Sequence, residues 1–141
     1  MAKSAIQIFL GVVGVFLYFY AITVSRDKNS LVICDVSQGS ALIYTVKNIQ
    51  VLIDVGPRYD LLVECLDKYI PSNDRKLEAI VLSHADSDHV GGIYRLTDRY
   101  EINKIFINKS MYYEKDFAYE LGKISQSINL VSYDDELIIA D

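Results

Sequence analysis

The sequence predicts an α/β domain of the α+β kind: a mixed β-sheet with flanking helices, carried behind one apolar helix. Three observations predict it. Residues 5–24 form an almost unbroken apolar run. The rest alternates β-rich and amphipathic helical runs in the order βββαβαβαββ. A run at 77–82 that is apolar around Glu78 then delivers the chain to a polar cluster, SHADSDHVGG. At 141 residues the chain is about one domain long. Its 51% hydrophobic and 23% charged residues are not the composition of a disordered chain.

The first element reads AIQIFLGVVGVFLYFYAITV, with Gln7 and Thr23 as its only clearly polar members. About 20 such residues, at 1.5 Å each, span the roughly 30 Å hydrocarbon core of a bilayer. A buried core helix is usually shorter and keeps a polar stripe. A cleaved signal peptide has a shorter apolar region, and no convincing small-x-small site precedes Arg26. Tyr18 and Tyr20 stand near one end, where aromatic residues favour the interface. The expected division is a transmembrane anchor, 1–25, and a domain, 26–141. Lys3 on one flank and Arg26 and Lys28 on the other give no orientation by charge.

After a short polar link come strands at 31–36, 41–46 and 49–54, joined by the hairpin-length turns SQGS and KN. Leu62, Cys65, Leu66 and Tyr69 fall at i, i+3, i+4 and i+7, a helix that Pro71 stops. Cys65 on that stripe and Cys34 inside an apolar strand read as packed core residues. Two cysteines so far apart suit neither a disulfide scaffold nor a Cys-type zinc site. Strand 77–82 follows, then a helix at about 90–99, strand 104–108, and a helix with Phe117, Leu121, Ile124 and Ile128 on one stripe. Strands near 130–132 and 136–140 complete the series. Fourteen Lys and Arg against nineteen Asp and Glu leave a net charge of −5, which argues against a basic nucleic-acid footprint.

The polar cluster is metal-ligand chemistry. His84-Ala85-Asp86-Ser87-Asp88-His89 holds the only two histidines of the chain beside two aspartates. In extended backbone alternate side chains share a face, so His84 and Asp86 can converge on one point. Asp88 and His89, at the turn into a helix, can face a second. Neutral imidazole nitrogen with carboxylate oxygen suits Zn²⁺, Mn²⁺ or Fe²⁺, whereas Ca²⁺ prefers an all-oxygen set. Gly91 and Gly92 let the backbone turn and pack close to the sheet.

SHADSDHVGG resembles the HxHxDHxGG signature of metallo-β-lactamase-fold hydrolases, with Asp in place of the second His. That form is typical of the metallo-hydrolase domain of ComEC-type DNA-internalisation (competence) proteins. Upstream, DVSQGSALIYTVKNIQVLIDVGP is similar to that branch's DVGQGDxxLI…LIDTGP pattern. The resemblance runs from about residue 31 to 108, and more loosely to the end.

It implies a two-metal site for Zn²⁺ or Mn²⁺, with His84 and Asp86 on one ion and Asp88 and His89 on the other. Asp88 is the expected catalytic residue, orienting the water nucleophile. Asp54 supports the site from behind the ligands, and Gly39 and Gly56 match turn glycines. Ser37 stands where the family usually has Gly, and Ser40 where the branch usually has Asp. The family fold is an αβ/βα sandwich whose later half normally supplies a bridging Asp and further histidines. No histidine follows His89, and nothing in the spacing of Asp134, Asp135 and Asp141 picks one as a ligand.

The chain is therefore expected to be the N-terminal half of such a domain. Two functions follow. One is a membrane-anchored hydrolase, on the outer face by the resemblance and directed at phosphodiesters such as DNA although its charge does not support a nucleic-acid substrate. This chain alone is then expected to be inactive and to bind metal weakly. The other is an inactive half-domain remnant or tethered interaction module, whose open sheet is covered by a missing C-terminal half or a partner subunit.

Overall fold

A computed structural model of the chain describes residues 2–25, 29–113, 115–124, 128–132 and 135–136, without the side chains of 2–5, 21–25, 115, 116 and 118. The first helix, α1, spans Ala2–Ser25. Its described side chains, residues 6–20, are apolar and exposed nearly throughout, Phe9, Phe16 and Phe19 among them. Among the described residues no helix is long and apolar enough to cross a membrane. The apolar run 5–24 extends past the described side chains at both ends.

Three antiparallel strands follow: β1 (Ser30–Ile33), β2 (Ala41–Val46) and β3 (Ile49–Val55). From β3 onward the sheet is parallel, through β5 (Ala79–Leu82), β7 (Ile105–Asn108) and β8 (Ile128–Val131), in the order β1-β2-β3-β5-β7-β8. The two-residue strands β4 (Lys76–Leu77) and β6 (Glu101–Ile102) pair beside it. Each parallel crossover carries helix, as parallel strands require. These are α2 (Tyr59–Tyr69), then α3 (Ser87–Val90) with a 3₁₀ helix (Ile93–Asp98), then α4 (Lys109–Tyr112) with α5 (Lys115–Ile124). This is a mixed sheet with flanking helices, as the sequence predicts.

The helices pack on one face. Leu62 and Leu66 of α2, Ile93 and Leu96 of the 3₁₀ helix, and Phe117 and Leu121 of α5 join Ala41, Ile43, Leu52, Ile80, Ile105 and Ile107 in one core. The other face is a separate apolar group of sheet residues alone, centred on Val51, Ala79 and Phe106. At its β1 end Leu31, opposite Tyr44, and Ile33 are 61%, 44% and 78% exposed.

Several elements depart from the sequence reading. Cys34 and Cys65 are not two separate packed thiols: they form a disulfide, with Cα atoms 5.8 Å apart. Packing α2 onto the sheet brings its inner stripe over the end of β1, within the usual disulfide span, a proximity that a separation of 31 residues conceals. The first strand stops at Ile33, so the connection to β2 is the loop 34–40 rather than a four-residue turn. The strand 77–82 is divided at Glu78, whose N–H and carboxylate both bond the backbone of Gln50, at 3.0 and 2.8 Å.

The helix expected at 90–99 is divided too. The Gly92 N–H donates to the Gly56 carbonyl (2.8 Å) instead of continuing α3. A Cβ on Gly92 would stand 2.7 Å from the Val55 carbonyl oxygen, so only glycine lets the turn approach the end of β3. Ile128 opens β8 opposite Ile105 rather than extending the α5 stripe. The strand expected at 136–140 lies, except for Glu136, outside the described residues.

Candidate metal centre

The site is built at the carboxyl ends of β3 and β5, where the antiparallel part of the sheet meets the parallel part. Near its end β3 holds one residue more than β2: Leu42 pairs with Ile53 and Ala41 with Val55, leaving Asp54 as the extra residue of a bulge. Asp54 has a left-handed φ of 54°. Such conformations are uncommon outside glycine and most tolerable for Asp and Asn. Bulges of this kind re-aim a side chain at a strand end.

Asp54 is 4% exposed and surrounded by donors. Its Oδ1 accepts from the Ser83 N–H (2.8 Å). Its Oδ2 lies 2.8 Å from each of Ser83 Oγ, Ser40 Oγ and His89 Nδ1. Burial alone would raise the carboxyl pKa. The bonds from the Ser83 backbone, His89 and the two hydroxyls outweigh it and hold Asp54 below the ordinary value of 3.8, ionised. An ionised carboxylate only accepts, so His89 carries its proton on Nδ1 and turns Nε2 outward.

Beyond Leu82 the chain bends at Ser83 and runs without regular structure to Asp86, itself extended, whose backbone carbonyl accepts from the N–H groups of His89 (2.9 Å) and Val90 (3.1 Å) and so starts α3. The rings of His84 and His89 lie 3.7 Å apart between centroids, tilted by 48°. His84 Nε2 is 3.5 Å from Asp86 Oδ2, and His89 Nε2 is 3.7 Å from Asp88 Oδ2. Two ligand atoms about 2.0–2.2 Å from one tetrahedral ion stand roughly 3.4 Å apart. Each pair therefore has a separation that one ion can bridge, and an imidazole with a carboxylate is a donor set that Zn²⁺ and Mn²⁺ accept. Ligand atoms of His84, Asp88 and His89 also come within 4.8 Å of one another. Asp86 stands outside that trio, its side chain 78% exposed with His84 as its neighbour.

The loop 34–40 closes the site from the other side. Gly39 has a φ of +76°, and a Cβ there would fall 1.7 Å from the Asp88 carbonyl oxygen. Only glycine lets this loop lie against the Asp88 backbone, and that approach brings Ser40 to Asp54 and to His89 Nδ1 (3.0 Å). Ser37, in the position where glycine is usual, keeps a left-handed φ of 77°, with its N–H bonded to Asp35 Oδ1 (3.1 Å).

Of the other expected residues, Gly56 turns beside Val36, and Gly91 packs against Ser87 and Pro57. Asp135 is exposed and its carboxylate accepts from the Ser132 N–H; Asp134 and Asp141 lie outside the described residues. Sequence reasoning missed Ser83 and took Ser40 only as a lost carboxylate. The available signal was positional: Ser83 ends the apolar run and touches the first histidine in sequence.

The profile of the metallo-beta-lactamase superfamily matches residues 34–138. Among solved structures, a Cronobacter sakazakii metallo-beta-lactamase described by a HARLDQ motif is similar to this chain at 18% identity and a TM-score of 0.50; the match covers 67% of this chain and 38% of that one. A metallo-beta-lactamase from Hirschia baltica gives 17% identity, a TM-score of 0.47 and coverages of 70% and 42%. DIM-1 metallo-beta-lactamase, exposed to ceftazidime, gives 17%, 0.49, and coverages of 79% and 57%. This chain thus spans between 38% and 57% of the length of these structures. A search of curated proteins gives no match.

Proposed function

Since this chain belongs to the metallo-beta-lactamase superfamily, we propose that it is the ligand-bearing first half of a membrane-anchored, metal-dependent hydrolase acting on phosphodiesters, DNA first among them. The observation that carries the reading is the pair of imidazole–carboxylate couples, 3.5 and 3.7 Å across, beside a buried carboxylate that fixes one of the rings. Bound there, a divalent transition metal lowers the pKa of its water to about 7 and polarises the scissile group. His84 and Asp86 would hold one ion, and His89 and Asp88 the other. The Asp88 carboxylate would also orient the nucleophilic water, while Asp54 acts through the side chains bonded to it, His89 among them.

The ComEC-like substrate rests on the resemblance of DVSQGS…LIDVGP and HADSDH. Ser40 weakens it, since it puts a neutral hydroxyl where that branch usually has a carboxylate. The anchor rests on the apolar run 5–24 and the exposed apolar side chains of α1. The outer-face orientation is supported by the Cys34–Cys65 disulfide, because such bonds persist in oxidising compartments and are rare in the cytosol.

The test compares Zn²⁺- and Mn²⁺-dependent cleavage of single-stranded DNA, a lactone and a β-lactam, by this chain and by the whole reading frame that contains it. DNA cleavage by the whole frame that needs the metal and collapses in Asp88→Ala supports the reading. Turnover confined to the lactone or lactam reassigns the substrate. Loss of metal-dependent turnover in neither His84→Ala nor His89→Ala overturns the site.

The exposed apolar residues at the β1 end of the sheet, Leu31, Tyr44 and Ile33, favour a second reading, an interaction module whose partner half or subunit covers that end. A chain that purifies as a stable assembly, and whose whole frame turns over none of the three substrates, supports that reading instead.

A further inference from the structure

We propose that Ser83 is a positioning residue for His84, carrying the hold of the Asp54 carboxylate one side chain further so that both histidines adopt the Nδ1–H form and offer Nε2 to the ligand side. It rests on the metal-site reading only for its purpose, not for its geometry. The Ser83 hydroxyl has one proton and two neighbours at 2.8 Å, Asp54 Oδ2 and His84 Nδ1, with His89 Nδ1 further away at 3.5 Å. A carboxylate that accepts from a backbone N–H, two hydroxyls and an imidazole has no proton to give. The Ser83 proton therefore goes to Asp54. The lone pairs left on Oγ can only accept, and the remaining close neighbour, His84 Nδ1, must donate.

One buried carboxylate thus governs both rings, His89 by direct contact and His84 through the hydroxyl. The chain of donors runs His84 Nδ1–H to Ser83 Oγ–H to Asp54. The bond from the other ring nitrogen decides which nitrogen of a ligand histidine is free.

The chain has two histidines, so its imidazole nitrogens can be assigned without ambiguity. The experiment is a long-range ¹H–¹⁵N spectrum of metal-free protein labelled at histidine, recorded over a pH series so that the tautomer of each ring is read from its neutral form. The wild type is expected to show Nδ1–H for both. Ser83→Ala should return His84 to the mixture of forms of a free imidazole and leave His89 as it was, whereas Ser83→Thr keeps both. Asp54→Asn should release both rings together. His84 found as Nε2–H in the wild type, or unmoved in Ser83→Ala with His89 intact, overturns the proposal. Should Ser83→Ala fail to fold, the wild-type and Asp54→Asn spectra decide alone. Zinc titration of the same samples is read separately: an expected loss of about tenfold in affinity in Ser83→Ala follows from outer partners of ligand histidines. Failure of the hydrolase reading would leave the tautomers where they are.

Discussion

The two halves of HADSDH are held in different ways. His89 has 19% of its side chain exposed and keeps Nδ1 on a buried carboxylate, with the Ser40 hydroxyl at its side. The loop carrying Ser40 is tied at Cys34 to α2 and pressed by Gly39 onto the Asp88 backbone. His84 is 46% exposed, and its acidic neighbour Asp86 is 78% exposed and does not cap the helix it precedes. Pre-organisation is thus placed in the half next to the bulge of β3. The outward half relies on the Ser83 hydroxyl and on the ion itself.

The disulfide is the strongest tie on the His89 side. Closing 31 residues of chain stabilises by about 3–4 kcal/mol in the chain-entropy account. A Cys34→Ser, Cys65→Ser double variant should lose about that much in urea unfolding, and His89 resonances should shift more than those of His84. Equal shifts of both rings would show that the loop does not discriminate between the halves.

Removing ligands sharpens the contrast. His89→Ala should lower zinc affinity more than Asp86→Ala, since a pre-set ligand costs less ordering on binding than an exposed one. Isothermal titration checks the order, which would be reversed if the outward half dominated.

Asp54→Asn puts an amide among donors that need an acceptor and should cost about 2 kcal/mol at neutral pH. The pH dependence has a definite sign. Asp54 has its pKa lowered by folding, so its contribution is fully present above the ordinary value of 3.8 and is lost as pH falls through the lower folded value. Wild type and Asp54→Asn should converge in acid unfolding curves only below the ordinary carboxylate range. The smallest effect is expected at Ser37→Gly, which relieves a left-handed serine beside the same loop and should stabilise by about 0.5–1 kcal/mol in the same urea assay.

What was legible in the sequence follows from what is local. The apolar alternation of β2 and β3, the α2 stripe with Pro71 behind it, and the ligand motif are all patterns within about ten residues, and the structure has those elements where the sequence puts them. The relations that the sequence concealed are long-range ones. Cys34 and Cys65 meet because α2 folds over β1, and Ser40 and Ser83 meet because both flank a bulge residue whose own sequence, LIDVG, reads as plain strand. The division of the helix at 90–99 was likewise hidden, because the partner of the Gly92 N–H is Gly56, a residue on another element.

The change from antiparallel to parallel pairing at β3 has a consequence for the order in which the molecule is assembled. The β1–β2–β3 meander is made of neighbours in sequence and can close early, but the β3–β5 seam must wait for α2 to cross over. Asp54 lies on one side of that seam and Ser83 and His89 on the other, 29 and 35 residues away. A partly folded chain can therefore own the first sheet and still have no ligand cluster. The amide of Ser83, bonded across the seam to a carboxylate, should exchange with solvent only when the seam itself opens, and its protection would time the birth of the site.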